Sequence, residues 1–483
     1  MSPERRRVLV VGGGITGLAA AWQAARLGAD VTLVEATGRL GGKVRTEHID
    51  GLLIEHGPDS FVAFRPAALQ LIDELGMSDE VIGVRGRRSV QIRIDGRLVP
   101  LPDGMGMVLP TRIGPFATTR LLTVRQKARA GLDLLLPRRL TDDDTSIGAF
   151  LRARLGDGVV ERIAEPMVGG IYGAGVDLLS LDAVLPSLRE SEREHRSLLV
   201  ASLAQGRRDR AVRARSRAGA GQASATPFRS LRRGMGSLTD RLVAALADSG
   251  AVIRTDAPVL SLRPRDGGGV EAVTGEGSAG QFDAVVLAVG APALADLLHE
   301  GSPAAAEALR AIPQTSSTVV TLALPRSGFA TPPSSQGWLE GGPAPISGVT
   351  ISSAKWAARA PEGTVLLRAF VPERIGPLAE QPDEVVLATA LEHVGRVLGF
   401  RGEPGLTRVT RWRRTMPTYT VGHLQRVAIV EAALADLPGW HAAGSALHGV
   451  GLPECIADGR SAARATLRPA GPTSPDPHRR DAA

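Results

Sequence analysis

The run Gly12-Gly13-Gly14-Ile15-Thr16-Gly17 places glycines where a backbone can come close to a phosphate, and Glu35 follows at the end of the next apolar run. In a G-x-G-x-x-G spacing the first glycine makes a tight turn. The second lets the chain approach a pyrophosphate, and the third lets a helix settle on the sheet. A helix start offers amide donors and a partial positive charge to an anion. Glu35 can accept hydrogen bonds from ribose hydroxyls. The chemistry expected here is binding of a dinucleotide.

The next residues extend the pattern. Ala36-Thr37-Gly38-Arg39-Leu40-Gly41-Gly42-Lys43 carries two more glycines that let amides approach phosphate, and Arg39 adds positive charge. Cys455 is the only cysteine, which excludes an internal disulfide framework and a Cys-rich metal site, so no metal is expected. His48, His56 and His448 read as loop histidines satisfied by backbone, with titration of a ring beside a bound cofactor as the alternative for His448. No strong side-chain base stands out.

These residues need a frame. Val8–Val11 reads as a buried strand, an Ala-rich helix runs to about Arg26, and Val31–Val34 makes a second strand ending in Glu35, which is a βαβ unit. Val90 to Val99 reads as a hairpin turning at Asp95-Gly96. Residues 110 to 205 are mostly helical, with apolar stripes edged by Arg120, Arg125, Lys127 and Arg129. Arg207 to Ala225 has almost no large apolar residue and reads as a solvated loop. Strands around Val252, Val259 and Ala284 then rejoin the nucleotide domain.

The expected division is a nucleotide domain in three pieces, 1–84, 228–300 and 425–468. They bracket a substrate domain at 85–109 and 301–424, a helical lobe at 110–205, an exposed loop at 206–227 and a disordered tail at 469–483. The fold class is α/β, with an α+β substrate domain.

Composition narrows the function classes. Of 483 residues 43% are hydrophobic, as in a globular protein, and the length suits two or three domains. The net charge of +7 rests almost wholly on arginine, since Lys43, Lys127 and Lys355 are the only lysines. A basic balance suits an anionic substrate or an acidic lipid surface. Aromatics are only 3%, and no helix-turn-helix, finger or stacking platform is visible, so nucleic acid is not an expected partner. No stretch of about twenty apolar residues is present, and the first apolar run is too short for a leader, so none is expected. A cytoplasmic protein is expected, with membrane contact at most peripheral.

The chain resembles the oxygen-dependent, FAD-containing protoporphyrinogen and coproporphyrinogen oxidases from Val8 to about Leu467. The resemblance is carried by Gly12–Gly17 with Arg39–Lys43, by Gly57-Pro58-Asp59-Ser60 and by Glu165-Pro166-Met167-Val168-Gly169-Gly170-Ile171-Tyr172-Gly173. It is carried further by Arg411-Trp412 with Met416-Pro417-Thr418-Tyr419, and by Ala443-Gly444 with Gly449–Ile456. Pro361-Glu362-Gly363 before Leu366-Leu367-Arg368 is most similar to the bacterial coproporphyrin-forming branch.

That resemblance implies a Rossmann-like FAD domain built from discontinuous segments, a mixed-sheet substrate domain and a helical insertion lobe. It implies noncovalent FAD, with Gly12, Gly13, Gly14, Ile15, Thr16 and Gly17 at the pyrophosphate and Glu35 and Ala36 at the ribose. Arg39, Gly42, Lys43, Gly57, Pro58, Asp59 and Ser60 would lie along the cofactor, with Val259 at adenine through its backbone. Trp412 would pack beside the isoalloxazine, and Gly444, Val450, Gly451 and Leu452 would meet the pyrimidine edge. The implied reaction is six-electron oxidation of an anionic tetrapyrrole, coproporphyrinogen III, with O2 as acceptor and hydrogen peroxide released, in haem synthesis. A transient complex with a ferrochelatase is implied as well. Tyr172 and the backbone of Ala174 are implied at the substrate, although the family has glycine where Ala174 stands. Some members hold a propionate with an arginine where this chain has Val90, and Arg65, Arg93 or Arg97 can replace it. Protoporphyrinogen IX as substrate, an amine or carotenoid oxidase, and a tetrapyrrole-delivery module remain the alternatives.

Overall fold

The computed structural model describes residues 5–86, 89–138, 143–217, 226–265 and 268–467. The chain forms two compact units, one of Met1–Lys43, Leu238–Arg310 and Val427–Ala483, the other of Val44–Ser237 and Ala311–Arg426.

In the first unit, five parallel strands line up in the order Val252–Arg254, Asp30–Val34, Arg7–Val11, Ala284–Leu287, Trp440–Ala442. Val8–Val10 and Ala284–Leu287 are fully buried, as expected of parallel strands covered on both faces. The chain leaves the central strand, Arg7–Val11, through the glycine run and enters helix Ile15–Arg26. Its neighbours on the two sides are reached through different parts of the chain. The glycine run therefore opens at the carboxyl end of the sheet's switch point, where ligands of open α/β sheets bind. Helix Leu452–Thr466 packs on helix Ile15–Arg26, and a Cβ on Gly459 would sit 2.2 Å from the Thr16 carbonyl oxygen. A separate three-stranded antiparallel sheet holds Val259–Pro264, Val270–Thr274 and Gly277–Phe282.

The second unit is built on a seven-stranded mixed sheet. Its order is Leu406–Pro417, Gln314–Pro325, Thr364–Pro372, Gly348–Thr350, Gly337–Glu340, Val90–Ile94, Arg97–Pro100. Only Gly337–Glu340 and Val90–Ile94 pair in parallel. Helix Asp383–Leu398 covers one face, with Val386, Ala390 and Val394 in a core that includes Val320, Leu322 and Leu324. The hairpin at Asp95-Gly96 is present, and both turn residues have positive φ. A helical cluster between Ile113 and Leu199 packs around Leu151, Ile163 and Val168, in a core that takes in Ile92 and Ile94 of the sheet. Within it Val160–Gly169 is wound as a π-helix containing Pro166. Proline has no amide to donate, and the wider winding accommodates that loss.

The compact units divide the chain elsewhere than expected. Residues 44–84 belong with the mixed sheet, because Leu52 and Ile54 bury against Ala323 and Leu366. Phe228–Leu231 goes with them, since it pairs with Phe61–Val62 and Val81–Gly83. Helix Pro303–Arg310 falls in the first unit. The loop expected over 206–227 is helical to Arg217, the end of helix Leu198–Arg217. Arginine and alanine are good helix formers, and the lack of large apolar residues marks a solvated helix as readily as a loop. Residues 218–225 of that stretch, and the tail from 468, lie outside the described residues.

Candidate functional site

In the first unit the glycine run is held by contacts that leave no room for side chains. Gly12 sits at φ +104°, where a Cβ would lie 2.5 Å from the Ala288 carbonyl oxygen. A Cβ on Gly17 would come within 1.9 Å of the Gly12 oxygen. Gly14 differs, because a Cβ there meets nothing within 4 Å. The backbone at Gly14 thus borders open space at the start of a twelve-residue helix that has no side-chain cap and no acid in its first turn. Such an end carries partial positive charge, and the helix itself supplies no acid in its first turn to offset it. These features fit the pyrophosphate of a dinucleotide.

The second glycine pair is pressed against the first. The Gly41 amide donates to the Gly13 carbonyl at 2.8 Å. Gly42 has φ +56°, and a Cβ on it would be 3.0 Å from the Gly14 Cα. Arg39 donates to the carbonyls of Leu40 and Gly42, so its guanidinium braces its own loop. Glu35 accepts from the Gly13 amide at 2.7 Å and, through its other oxygen, from the Thr37 amide and hydroxyl. A carboxylate has further lone pairs to offer. Ala36 is exposed beside it. Val259 begins its strand opposite Thr274.

Lys43 is buried, which lowers its pKa, and its Nζ lies 3.4 Å from the Ser445 hydroxyl. Gly444 follows strand Trp440–Ala442 at φ +117° and donates its amide to Asp458 at 2.6 Å. Val450 and Gly451 lead into helix Leu452–Thr466, with Gly451 as an N-cap that offers no side chain. Cys455 is buried, and burial pushes its thiol pKa up. His448 is not satisfied by backbone. Its Nδ1 lies 3.0 Å from Asp458 and its Nε2 2.9 Å from Glu431. The hydrogen bond to Asp458 is the main reason its pKa is pushed up to about 9. The imidazolium therefore donates from both nitrogens at neutral pH.

In the second unit Gly57-Pro58-Asp59-Ser60 is held by charge. Asp59 is buried, and burial alone would raise its pKa. Lys355 at 3.0 Å from both oxygens and Arg368 at 3.1 Å outweigh that and hold the carboxyl well below the usual range. The Trp356 indole at 3.2 Å and the Ser60 hydroxyl at 2.7 Å also donate to it. Arg368 donates in addition to the carbonyls of Glu55 at 3.0 Å and Gly57 at 2.7 Å. Trp412 donates its indole N–H to the His56 carbonyl at 2.8 Å. His56 itself bridges Thr410 and Glu47, and burial lowers its pKa.

The other candidates of this unit differ in exposure and partners. Tyr172 ends the helical turn after the π-helix and is partly buried. The Ala174 side chain is buried, and its carbonyl oxygen would stand 3.0 Å from a Cβ on Gly169. Arg65 is exposed, with its guanidinium 5.9 Å from the Phe64 ring centre. Arg93 is engaged by Glu340 at 3.2 Å. Sequence reading missed Lys355 and Arg368 around Asp59, and Asp458 and Glu431 around His448. The one available signal was charge inside apolar surroundings, as in Leu366-Leu367-Arg368-Ala369, a strand buried at every one of these positions.

The pattern of the flavin containing amine oxidoreductases matches residues 15–467. A coproporphyrinogen III oxidase of Propionibacterium freudenreichii subsp. freudenreichii is 53% identical, covering 99% of this chain and 93% of that one. A coproporphyrinogen III oxidase of Bacillus subtilis is 34% identical, covering 96% and 98%. Among solved structures, a protein of Exiguobacterium sp. 255-15 proposed to be a protoporphyrinogen oxidase superposes with a TM-score of 0.81 at 32% identity, covering 96% of this chain and 98% of that one.

Proposed function

We infer that this chain, which belongs to the flavin containing amine oxidoreductase family, is an FAD-dependent oxidase that converts coproporphyrinogen III to coproporphyrin III in haem synthesis. The observation that carries the reading is the 53% identity to a coproporphyrinogen III oxidase across 99% of the chain, which spans both compact units. The glycine cradle supports it independently. The balanced reaction removes six electrons and six protons from the porphyrinogen and reduces three O2 to three hydrogen peroxide. Bound FAD supplies the two-electron acceptor and the site at which O2 takes the electrons over.

The chain's own residues bind and orient. Gly12–Gly17 and the uncapped end of helix Ile15–Arg26 would hold pyrophosphate oxygens. Glu35 and Ala36 would meet the ribose, and the Val259 backbone would meet adenine. Arg39 keeps Gly41-Gly42 against the glycine run. Lys43, Gly57–Ser60 and Trp412 would hold the flavin half. Gly444 and Val450–Leu452 would offer a helix N-terminus, whose partial positive charge suits an anionic ring edge. Arg65 would meet a propionate carboxylate of the substrate, since a guanidinium matches a carboxylate with two parallel hydrogen bonds. Tyr172 and the Ala174 carbonyl complete the substrate side. The electron-rich pyrroles stabilise charge left on the substrate, so no strong base is required.

Membrane contact and hand-over of product to a ferrochelatase belong to the same reading. None of the helices among the described residues is long and apolar enough to cross a membrane. Val124, 82% exposed, is followed by Arg125 and Lys127, and Leu135 further on is 76% exposed, a combination suited to an acidic lipid surface.

The test is aerobic turnover of the purified yellow protein with each porphyrinogen, reading porphyrin fluorescence and peroxide. Coproporphyrin formation with three peroxides per porphyrin is expected. Faster turnover of protoporphyrinogen IX would move the enzyme to the other branch, and no oxidation of either would overturn the reading.

A further inference from the structure

The loop from Gly444 to Gly451 is fastened by a chain of hydrogen bonds through one histidine. Its first residue donates an amide to Asp458 at 2.6 Å. Asp458 lies on helix Leu452–Thr466, and helical side chains point back toward the N-terminus, so its carboxylate reaches the loop that precedes the helix. His448, near the loop's other end, donates to that carboxylate at 3.0 Å. The far side of its ring binds Glu431 of helix His423–Ala435 at 2.9 Å. Gly444 at φ +117° and Gly449 at φ +133° bend the backbone at the two ends, and the side-chain contacts add to the turn in which the Leu447 amide donates to the Gly444 carbonyl at 3.0 Å.

We propose that His448 is a positioning residue for the cofactor: it buckles the Gly444–Gly451 loop onto Asp458 and Glu431 and so fixes where the loop and the following helix end meet the flavin pyrimidine edge. This rests on the FAD reading above. The ring is 34% exposed on its side chain, and the two carboxylates need a cation that donates from both sides. Loss of the ring proton leaves one nitrogen as an acceptor facing a carboxylate, which opens one end of the buckle. The other ionisable groups around this loop are Glu454, whose Cβ lies 2.9 Å from a Cβ built on Gly449, Cys455, whose thiol is 3.5 Å from the Gly449 carbonyl, and Lys43. Burial raises the Cys455 pKa and lowers that of Lys43, so the histidine must be removed while both are kept.

The experiment measures the FAD dissociation constant of the full chain between pH 7 and 10 for wild type, His448→Gln and Glu431→Gln. Expected for wild type is tight binding at neutral pH that weakens as pH passes about 9. Expected for His448→Gln is affinity about tenfold weaker at pH 7.5, the scale of one charge-assisted hydrogen bond, with no break near pH 9. Glu431→Gln keeps the inner bond and falls between, with its break at lower pH. If His448→Gln keeps wild-type affinity and the same break, the proposal is overturned, and a lowered melting temperature alone would mark His448 as structural and overturn it too. A wild-type chain that binds no FAD at pH 7.5 fails the flavin reading itself and takes the proposal with it.

Discussion

Two stretches assigned to the cofactor are held in place by opposite means. Gly12–Gly17 is fixed by backbone packed so closely that a Cβ on Gly12 or Gly17 would collide, and the positive charge it offers is the partial charge of a helix end. Gly57–Ser60 is fixed by a buried carboxylate that two cations, an indole and a hydroxyl share. The first design is a matter of volume and φ. The second is a matter of charge balance in a place with little water. Each should fail under the change that the other tolerates.

The largest expected effect is on the charged side. Asp59→Leu leaves Lys355 and Arg368 buried without their carboxylate, and should cost about 3–5 kcal/mol of stability. Chemical denaturation checks it, and a loss under about 1 kcal/mol would show that water replaces the carboxylate. On the volume side, Gly17→Ala forces a Cβ into the Gly12 oxygen and should cost about 3 kcal/mol together with FAD binding. The contrast sharpens at Gly14, where a Cβ has open space. Gly14→Ala should change stability by less than about 1 kcal/mol yet weaken FAD by more than about tenfold, because the space it fills is the one assigned to pyrophosphate. Equal losses in both measurements would remove Gly14 from the site.

The smallest effect concerns pH. The folded-state pKa of His448 is raised from 6.5 to about 9, so its contribution is complete below pH 6.5 and is lost as pH rises through about 9. Melting temperature should therefore decline across that window more in wild type than in His448→Gln. Parallel declines would show that the ring carries no net stabilisation, as exposed pairs often do not.

The glycine cradle was legible because its logic is local. Gly12, Gly17 and Glu35 are bound within one βαβ unit, and the R-x-G-G run packs on it within a few tens of residues. The hairpin at Asp95-Gly96 was legible for the same reason. The helix over Leu198–Arg217 was not, since its alanine, arginine and glycine content suits either state and the choice falls to the packing of its apolar start at Leu198, Leu199 and Ala201. His448 looked like an ordinary loop residue because its acid partners sit 10 and 17 positions away on two different helices.

By itself the sequence determined the βαβ unit, the dinucleotide cradle and, through resemblance, the family. Steric exclusion at a glycine and the dipole of a short helix act over a few bonds, and any chain with this spacing must satisfy them. Only the tertiary structure decided which charges are paired in the interior. Lys355 stands 296 residues from Asp59, and nothing near either residue names the other. A buried charge is tolerated only where the fold delivers its partner, so the identity of that partner is a property of topology.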